Sequence, residues 1–186
     1  MKRVLSVFKS ALAIGLAVVV SSCDKVNDVT FGVTLTHTFH VNQVAAGNEV
    51  VYELHDVLDA ASSDPEFNKY KDNIKSVSVN GVTYTMQNCT TAGVLFTNGT
   101  IAYSSIVVIE PDPTIAIANV GVENVKAAEN QEKNLNFSQV AINDMSNLLK
   151  TNKQLNVYLN GTLSTTPAQF DVLFTIKATV TANALQ

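Results

Sequence analysis

The sequence predicts an all-β domain, a two-sheet antiparallel β-sandwich with two short helices. Three observations predict this fold class. Apolar and polar residues alternate strictly near both ends of the domain, and the runs between them are short and rich in β-branched and aromatic residues. In addition, strands do not alternate with long helical runs, which is the pattern of parallel α/β folds.

The first and last strands have the clearest patterns. Residues 31–41 alternate apolar side chains with Gly, Thr and His, and residues 170–180 alternate them with Asp, Thr and Lys. Successive side chains of a strand point to opposite faces of its sheet, so each segment is predicted to have one buried and one exposed face. His37 falls with the apolar set and His40 with the threonines, which excludes a metal shared by these two residues.

Six shorter runs complete a predicted set of eight strands. They span residues 49–58, 75–79, 82–86, 101–109, 114–122 and 155–163. Asn80-Gly81 favours a type I′ hairpin turn between two of them, because both central residues of that turn need positive φ. Thr165-Thr166-Pro167 is predicted to turn the chain into the last strand, while Asn160-Gly161 is placed inside the preceding strand.

Two helices are predicted between the strands. Ser63 and Glu66 have the spacing of a capping box, with Pro65 in the first turn of a short helix. The second helix follows Ser138 and ends near Lys150, and residues 123–136 are predicted to be a loop. The elements together favour one sandwich of immunoglobulin-like or fibronectin-like size, although the paired cysteines and core tryptophan of antibody domains are missing.

The N-terminal segment has the composition of an export signal. An apolar run at residues 11–20 follows the basic residues Lys2, Arg3 and Lys9, and it ends at Ser21-Ser22. This run is short for a membrane-spanning helix, which needs roughly 17 to 25 apolar residues. A retained signal anchor is the alternative to a cleaved signal peptide.

The tetrapeptide Val20-Ser21-Ser22-Cys23 resembles a lipobox, the cleavage motif of bacterial lipoproteins. That resemblance implies a diacylglyceryl group on the Cys23 thiol and cleavage before Cys23. The predicted organisation is therefore a signal peptide at 1–22, a lipidated anchor and short tether at 23–30, and a single sandwich domain at 31–186. Two or more acyl chains attach a protein firmly to a membrane.

The run Ser-Ser-Cys-Asp-Lys at residues 21–25, followed by an Asn- and Thr-rich β domain, is similar to lipoproteins of Bacteroidetes. The resemblance implies a lipid-anchored protein of the cell envelope, in the outer membrane. In that group an acidic run after the lipidated cysteine is associated with surface display. Residues 25–28 contain one acidic side chain, so the periplasmic and surface faces both stay open.

The net charge limits the classes of binding partner, and the cysteine content limits the thiol chemistry. Loss of the signal peptide reduces the 12 basic residues to 9 and leaves all 16 acidic ones, a formal charge near −7. This charge argues against nucleic acid and anionic lipid headgroups as partners. Cys89, the other cysteine, has no adjacent Lys, Arg or His to lower its pKa and is predicted to be a buried, unreactive thiol.

The densest polar group surrounds the predicted start of the first helix. It comprises His55 together with Asp56, Asp59, Asp64 and Glu66. Carboxylate oxygens gathered on a loop suit Ca²⁺, which makes these four acids candidate metal ligands. A solvated loop is the alternative, since acidic residues near a helix N-terminus also stabilise the helix dipole.

Catalytic motifs are not found. The sequence contains no nucleophile elbow, no Gly-rich phosphate loop and no Cys/His nucleophile arrangement, so we expect no enzyme. Glu110 and Asp112 would act as a glycosidase pair if they faced a sugar-sized cleft. Tyr70 and Tyr103 are the candidates for stacking on a sugar ring.

Three roles are compatible with these features. The first is a noncatalytic, membrane-tethered envelope lipoprotein that acts as a protein-interaction or assembly module, with no cofactor. The alternatives are a glycan- or calcium-binding surface domain and a fimbrial-type subunit in which the C-terminal strand is donated to a neighbour.

Overall fold

The computed structural model describes residues 27–105 and 116–184 of the chain. Within these ranges the chain forms six strands and three helices. In chain order they are β1 (Asp28–Asp59), α1 (Ala60–Ser63), α2 (Pro65–Tyr70), β2 (Ile74–Gln87), β3 (Leu95–Ser104), β4 (Ala116–Asn124), β5 (Glu132–Asn134), α3 (Gln139–Thr151) and β6 (Gln154–Asn183). The predicted all-β class is confirmed.

The six described strands belong to one antiparallel sheet centred on β6. On one side, β1 pairs with β6 along its whole length, from Asp28 opposite Asn183 to Asp59 opposite Gln154. On the other side, β3 pairs with the first part of β6 and β2 with its last part, and β4 and β5 extend the sheet. The two-sheet sandwich is not confirmed, because the described strands share a single hydrogen-bonded sheet.

The β1–β6 ribbon bends near its middle. A register shift separates Gln43 from Gly47, opposite Thr166 on β6. The Thr166 hydroxyl donates to the carbonyl of Ala45 at 2.5 Å, and the Gly47 carbonyl lies 3.2 Å from the same oxygen. Extra residues on one strand of a pair bend and twist it. We call residues 28–43 the first arm of β1 and residues 47–59 its second arm.

Several predicted strand boundaries are wrong, because β1 and β6 each continue through the bend as one strand. Segments 31–41 and 49–58 are parts of one strand, as are 155–163 and 170–180, and residues 165–167 lie within β6 instead of forming a turn. Asn160-Gly161 lies inside a strand, as predicted. The physical reason is that each long strand continues its ladder across the bend, with the bulge absorbing the change of direction.

The predicted Asn80-Gly81 hairpin is also wrong. Residues 74–87 form the single strand β2, and a register shift between Val79 and Gly81 absorbs the extra residue. The Asn80 amide donates to the Thr179 hydroxyl at 2.8 Å. Pairing with β6 on both sides of the bulge therefore overrides the local turn signal.

The helix predictions are partly confirmed. Helix α3 begins after Ser138, whose hydroxyl accepts from the Ala141 N–H at 3.2 Å. The predicted Ser63 cap is wrong: Asp64 caps α2, and Ser63 donates to the Thr36 carbonyl at 3.1 Å. A carboxylate in the next position is a charge-assisted acceptor and takes the capping role.

The remaining boundaries shift moderately. The strands predicted at 101–109 and 114–122 are observed at 95–104 and 116–124, and the parts at 106–109 and 114–115 lie outside the described residues. The predicted loop 123–136 contains the end of β4 and the short strand β5.

The core lies on the concave side of the sheet, which curls into half of a barrel. Phe96 on β3 packs edge-on against Phe170 on β6, with ring centroids 6.1 Å apart. The Tyr84 hydroxyl of β2 donates to the Val120 carbonyl of β4 at 3.3 Å, although these two strands are not neighbours in the sheet. Burial, with Glu123 beside it, raises the pKa of Tyr84 far above its usual value.

Candidate functional site

The acidic residues predicted to form a metal site do not act together, and two of them cap different helices. Asp59 caps α1 by accepting from the Ser62 N–H at 2.9 Å, and it also accepts from the Gln154 amide at 2.8 Å. The Gln154 hydrogen bond and the Ser62 N–H hold the pKa of Asp59 below its usual value. Asp64 caps α2 through the N–H groups of Glu66 and Phe67, at 2.9 and 3.0 Å.

The side chains of the other two acids are both more than half exposed. Asp56 has a side chain 65% exposed, and Glu66 lies 3.9 Å from Lys69 on the exposed side of α2. Among residues 27–105 and 116–184, no three His, Cys, Asp or Glu side chains are grouped closely enough to hold a metal ion. The Ca²⁺ site stays a prediction. Of the four acids, one caps α1, one caps α2 and two are exposed.

The free side of β1 is capped by side chains. Within the described strands β1 pairs with β6 alone, so its other edge presents unpaired backbone groups. The Thr34 N–H donates to Asp64 at 3.3 Å, Ser63 donates to the Thr36 carbonyl, and the Asn42 N–H donates to the Tyr52 hydroxyl at 3.2 Å. Blocked edges resist strand addition by other chains, so this edge is protected at these points.

The three histidines of the chain line one hollow between the two arms of β1. Its lining consists of His37, Thr38, Phe39, His40, Leu54, His55 and Asp56, and its volume is about 200 Å³. We call it the histidine hollow. His37 Nε2 lies 3.7 Å from an oxygen of Asp56 on the other arm, and the Tyr52 hydroxyl donates across the same gap to the His40 carbonyl at 3.3 Å.

The histidines differ in environment. The His37 side chain is 14% exposed and that of His40 is 75% exposed. Burial lowers the pKa of His37, with Asp56 opposing and the neighbouring His40 adding to the shift. The hollow was not predicted, because it forms only when the bend brings sequence-distant parts of β1 together; the sequence signal was the restriction of all histidines to β1.

A second polar cluster surrounds Asp171 on β6. His40 Nδ1 lies 2.7 Å from one Asp171 oxygen, and the Asn88 amide donates to the other at 2.6 Å. Burial opposes ionisation of Asp171, but the hydrogen bonds from Asn88 and His40 outweigh it and keep its pKa below the usual value. In a His–Asp pair of this kind the carboxylate orients the imidazole ring.

Cys89 is buried, as predicted. Its thiol lies 3.2 Å from the carbonyl oxygen of Val125. Burial and the nearby Glu129 carboxylate raise the pKa of the thiol, so the reactive thiolate is disfavoured at neutral pH.

The two tyrosines predicted as sugar platforms have structural roles. Tyr103 is 2% exposed and donates to the Ala141 carbonyl at 2.5 Å, which joins β3 to α3. The Tyr70 ring packs against Phe31 with centroids 5.2 Å apart. Tyr103 is therefore unavailable to a sugar ring. Cys23 and the pair Glu110 and Asp112 lie outside the described residues.

Comparisons with known proteins do not assign a family. No protein-family model matches the chain, and no curated protein matches it. A chain in a solved structure titled Desmodium yellow mottle tymovirus is similar with a TM-score of 0.34 and 10% identity, over 100% of this chain and 94% of that one. In residues 27–105 and 116–184, the helices are all too short or too polar to span a membrane.

Proposed function

We propose that the chain is a noncatalytic lipoprotein of the cell envelope, anchored in the outer membrane by lipid on Cys23, that binds another protein. One observation supports the interaction role: exposed apolar side chains lie close together at the bend of β1. Val44 and Val51 are each 77% exposed, and Ala45 and Ala46 between them are also exposed. Apolar side chains left in water commonly mark interaction surfaces.

The position of the bend supports this role. The first arm runs from Asp28, near the predicted tether, to Gln43 at the bend. At about 3.3 Å per residue, an arm of this length measures on the order of 50 Å. The proposed lipid is near the Asp28 end of the first arm, and the bend is at its other end. The bend is therefore held away from the membrane surface, where a partner protein can reach it.

The structure gives less support to assembly by donation of the C-terminal strand. β6 is flanked by β1 on one side and by β2 and β3 on the other, so its removal would dismantle the sheet. The two-sheet sandwich is kept as a proposal for the folded shape. Contacts such as Tyr84 with Val120, between distant parts of the bent sheet, support it.

Replacing Cys23 with Ala tests the anchor. We expect the wild-type chain to incorporate labelled palmitate and the Cys23→Ala chain to lose the label, because the thiol that carries the lipid is gone. Cys89→Ala is the matched control and should keep the label. Palmitate label that persists in Cys23→Ala would contradict the anchor.

Site-specific crosslinking tests the interaction surface. A photo-crosslinking residue at position 44 is expected to give an adduct with another envelope protein in intact cells. Position 140 on α3 is the matched control, since Val140 is 79% exposed. Adducts of equal yield from both positions, or from neither, would exclude the bend as the binding surface.

A further inference from the structure

The histidine hollow is the place where the two arms of β1 contact each other through side chains. Tyr52 on the second arm bonds to the backbone of His40 and Asn42 on the first, at 3.3 and 3.2 Å. His37 on the first arm faces Asp56 on the second at 3.7 Å. These contacts hold the bent strand closed on its free side, where no further strand of the described sheet supports it.

The charges around His37 are few and can be named by element. On β1 they are Asp56, His40 and His55, all of which line the hollow. On β6, Asp171 lies 2.7 Å from the His40 ring. Asp59 and Asp64, which cap the adjoining helices, accept from backbone N–H groups, and neither lines the hollow.

We propose that the histidine hollow is a proton-sensitive seam, in which proton uptake under mildly acidic conditions loosens the contact between the two arms of β1. Protonation of His37 places a positive charge on a side chain that is 14% exposed and lines the hollow. A buried charge is costly unless it is well paired, and at 3.7 Å Asp56 is beyond hydrogen-bond distance.

The direction of the effect follows from linkage. The pKa of His37 in the folded chain lies below its ordinary value of 6.5, chiefly because of burial. As the pH falls through 6.5, the unfolded or opened chain takes up this proton before the closed chain does. The closed state therefore has its full stability above this pH and loses it as the pH falls through the lower, folded pKa.

Hydrogen exchange on the chain purified in detergent micelles tests the seam. When the pH is lowered from about 7 to about 5.5, we expect the amides near residues 38–42 and 52–56 to exchange faster than the intrinsic pH dependence accounts for, because the opened chain takes up the His37 proton first. The amides of β3 are the internal control and should not change. In His37→Phe, which has a ring of similar size and no titration, the rise should be lost.

A second measurement does not depend on the folding of that variant. With three histidines in the chain, imidazole resonances are easily followed by NMR during a pH titration. The pKa of His37 should lie below 6.5 and should fall further in Asp56→Asn, because Asp56 opposes the shift. An unchanged exchange rate at the seam, the same rise in His37→Phe, or a His37 pKa at or above 6.5 would overturn the proposal, which is independent of the proposed binding role.

Discussion

Replacing Gly161 with Ala should lower the free energy of unfolding by about 3 kcal/mol, the upper part of the range for overpacked cores. A Cβ at this position would lie 2.2 Å from two carbon atoms of the Phe96 ring. The ring has little room to move, because Phe96 is fully buried and also lies against Gly99, where an added Cβ would come within 2.5 Å of it. Urea denaturation measures the change.

Two further variants make this prediction specific. Gly81→Ala is the matched control on β2, since nothing lies within 4 Å of its added Cβ, and it should alter stability by no more than about 0.5 kcal/mol. In a Phe96→Ala background, Gly161→Ala should become nearly neutral, because the obstructing ring is gone. An equal cost of Gly161→Ala in both backgrounds would show that Phe96 is not the obstacle.

Replacing Phe67 with Ala should lower the free energy of unfolding by about 3–5 kcal/mol, the usual cost of removing a buried phenyl ring. Phe67 is fully buried and is the single buried residue of α2. The same short helices provide Ser63 and Asp64, which cap the free edge of β1. We therefore expect faster amide exchange around residues 34–36 as well.

The neighbouring Glu66→Ala is the control, because Glu66 is exposed and its contact with Lys69 is long. It should change stability by less than about 0.5 kcal/mol. A loss in Phe67→Ala no larger than in Glu66→Ala, or unchanged exchange at the edge of β1, would mean that Phe67 does not anchor the helices.

Local patterns predicted the elements whose determinants lie within a few residues. Alternation over 31–41 and 170–180 predicted faces that the burial pattern follows, with Leu35, Phe39 and Val41 buried and the intervening positions more exposed. Helix α3 was predicted to follow Ser138 and to end near Lys150, and it is observed at Gln139–Thr151 with Ser138 as its N-cap. Each of these signals acts within one strand face or one helical turn.

Predictions from two- and three-residue turn signals failed where long-range pairing opposed them. Asn80-Gly81 and Thr165-Thr166-Pro167 have turn composition, yet both are held inside long strands by partners far away in the chain. A turn motif is favoured by a small local free energy, whereas a continuous ladder contributes hydrogen bonds and packing at every residue of the strand. The long ladders therefore decided the topology.

The sequence by itself determined the all-β class, the buried face of each main strand and the position of α3, because these depend on periodicity and on local capping. It also carries the lipobox-like motif at Cys23, which predicts the anchor. Only the tertiary structure decided that β1 and β6 are single bent strands and that His37 and Asp56 face each other across the bend. The physical reason is that the bend joins residues far apart in sequence, whose contacts no local pattern encodes.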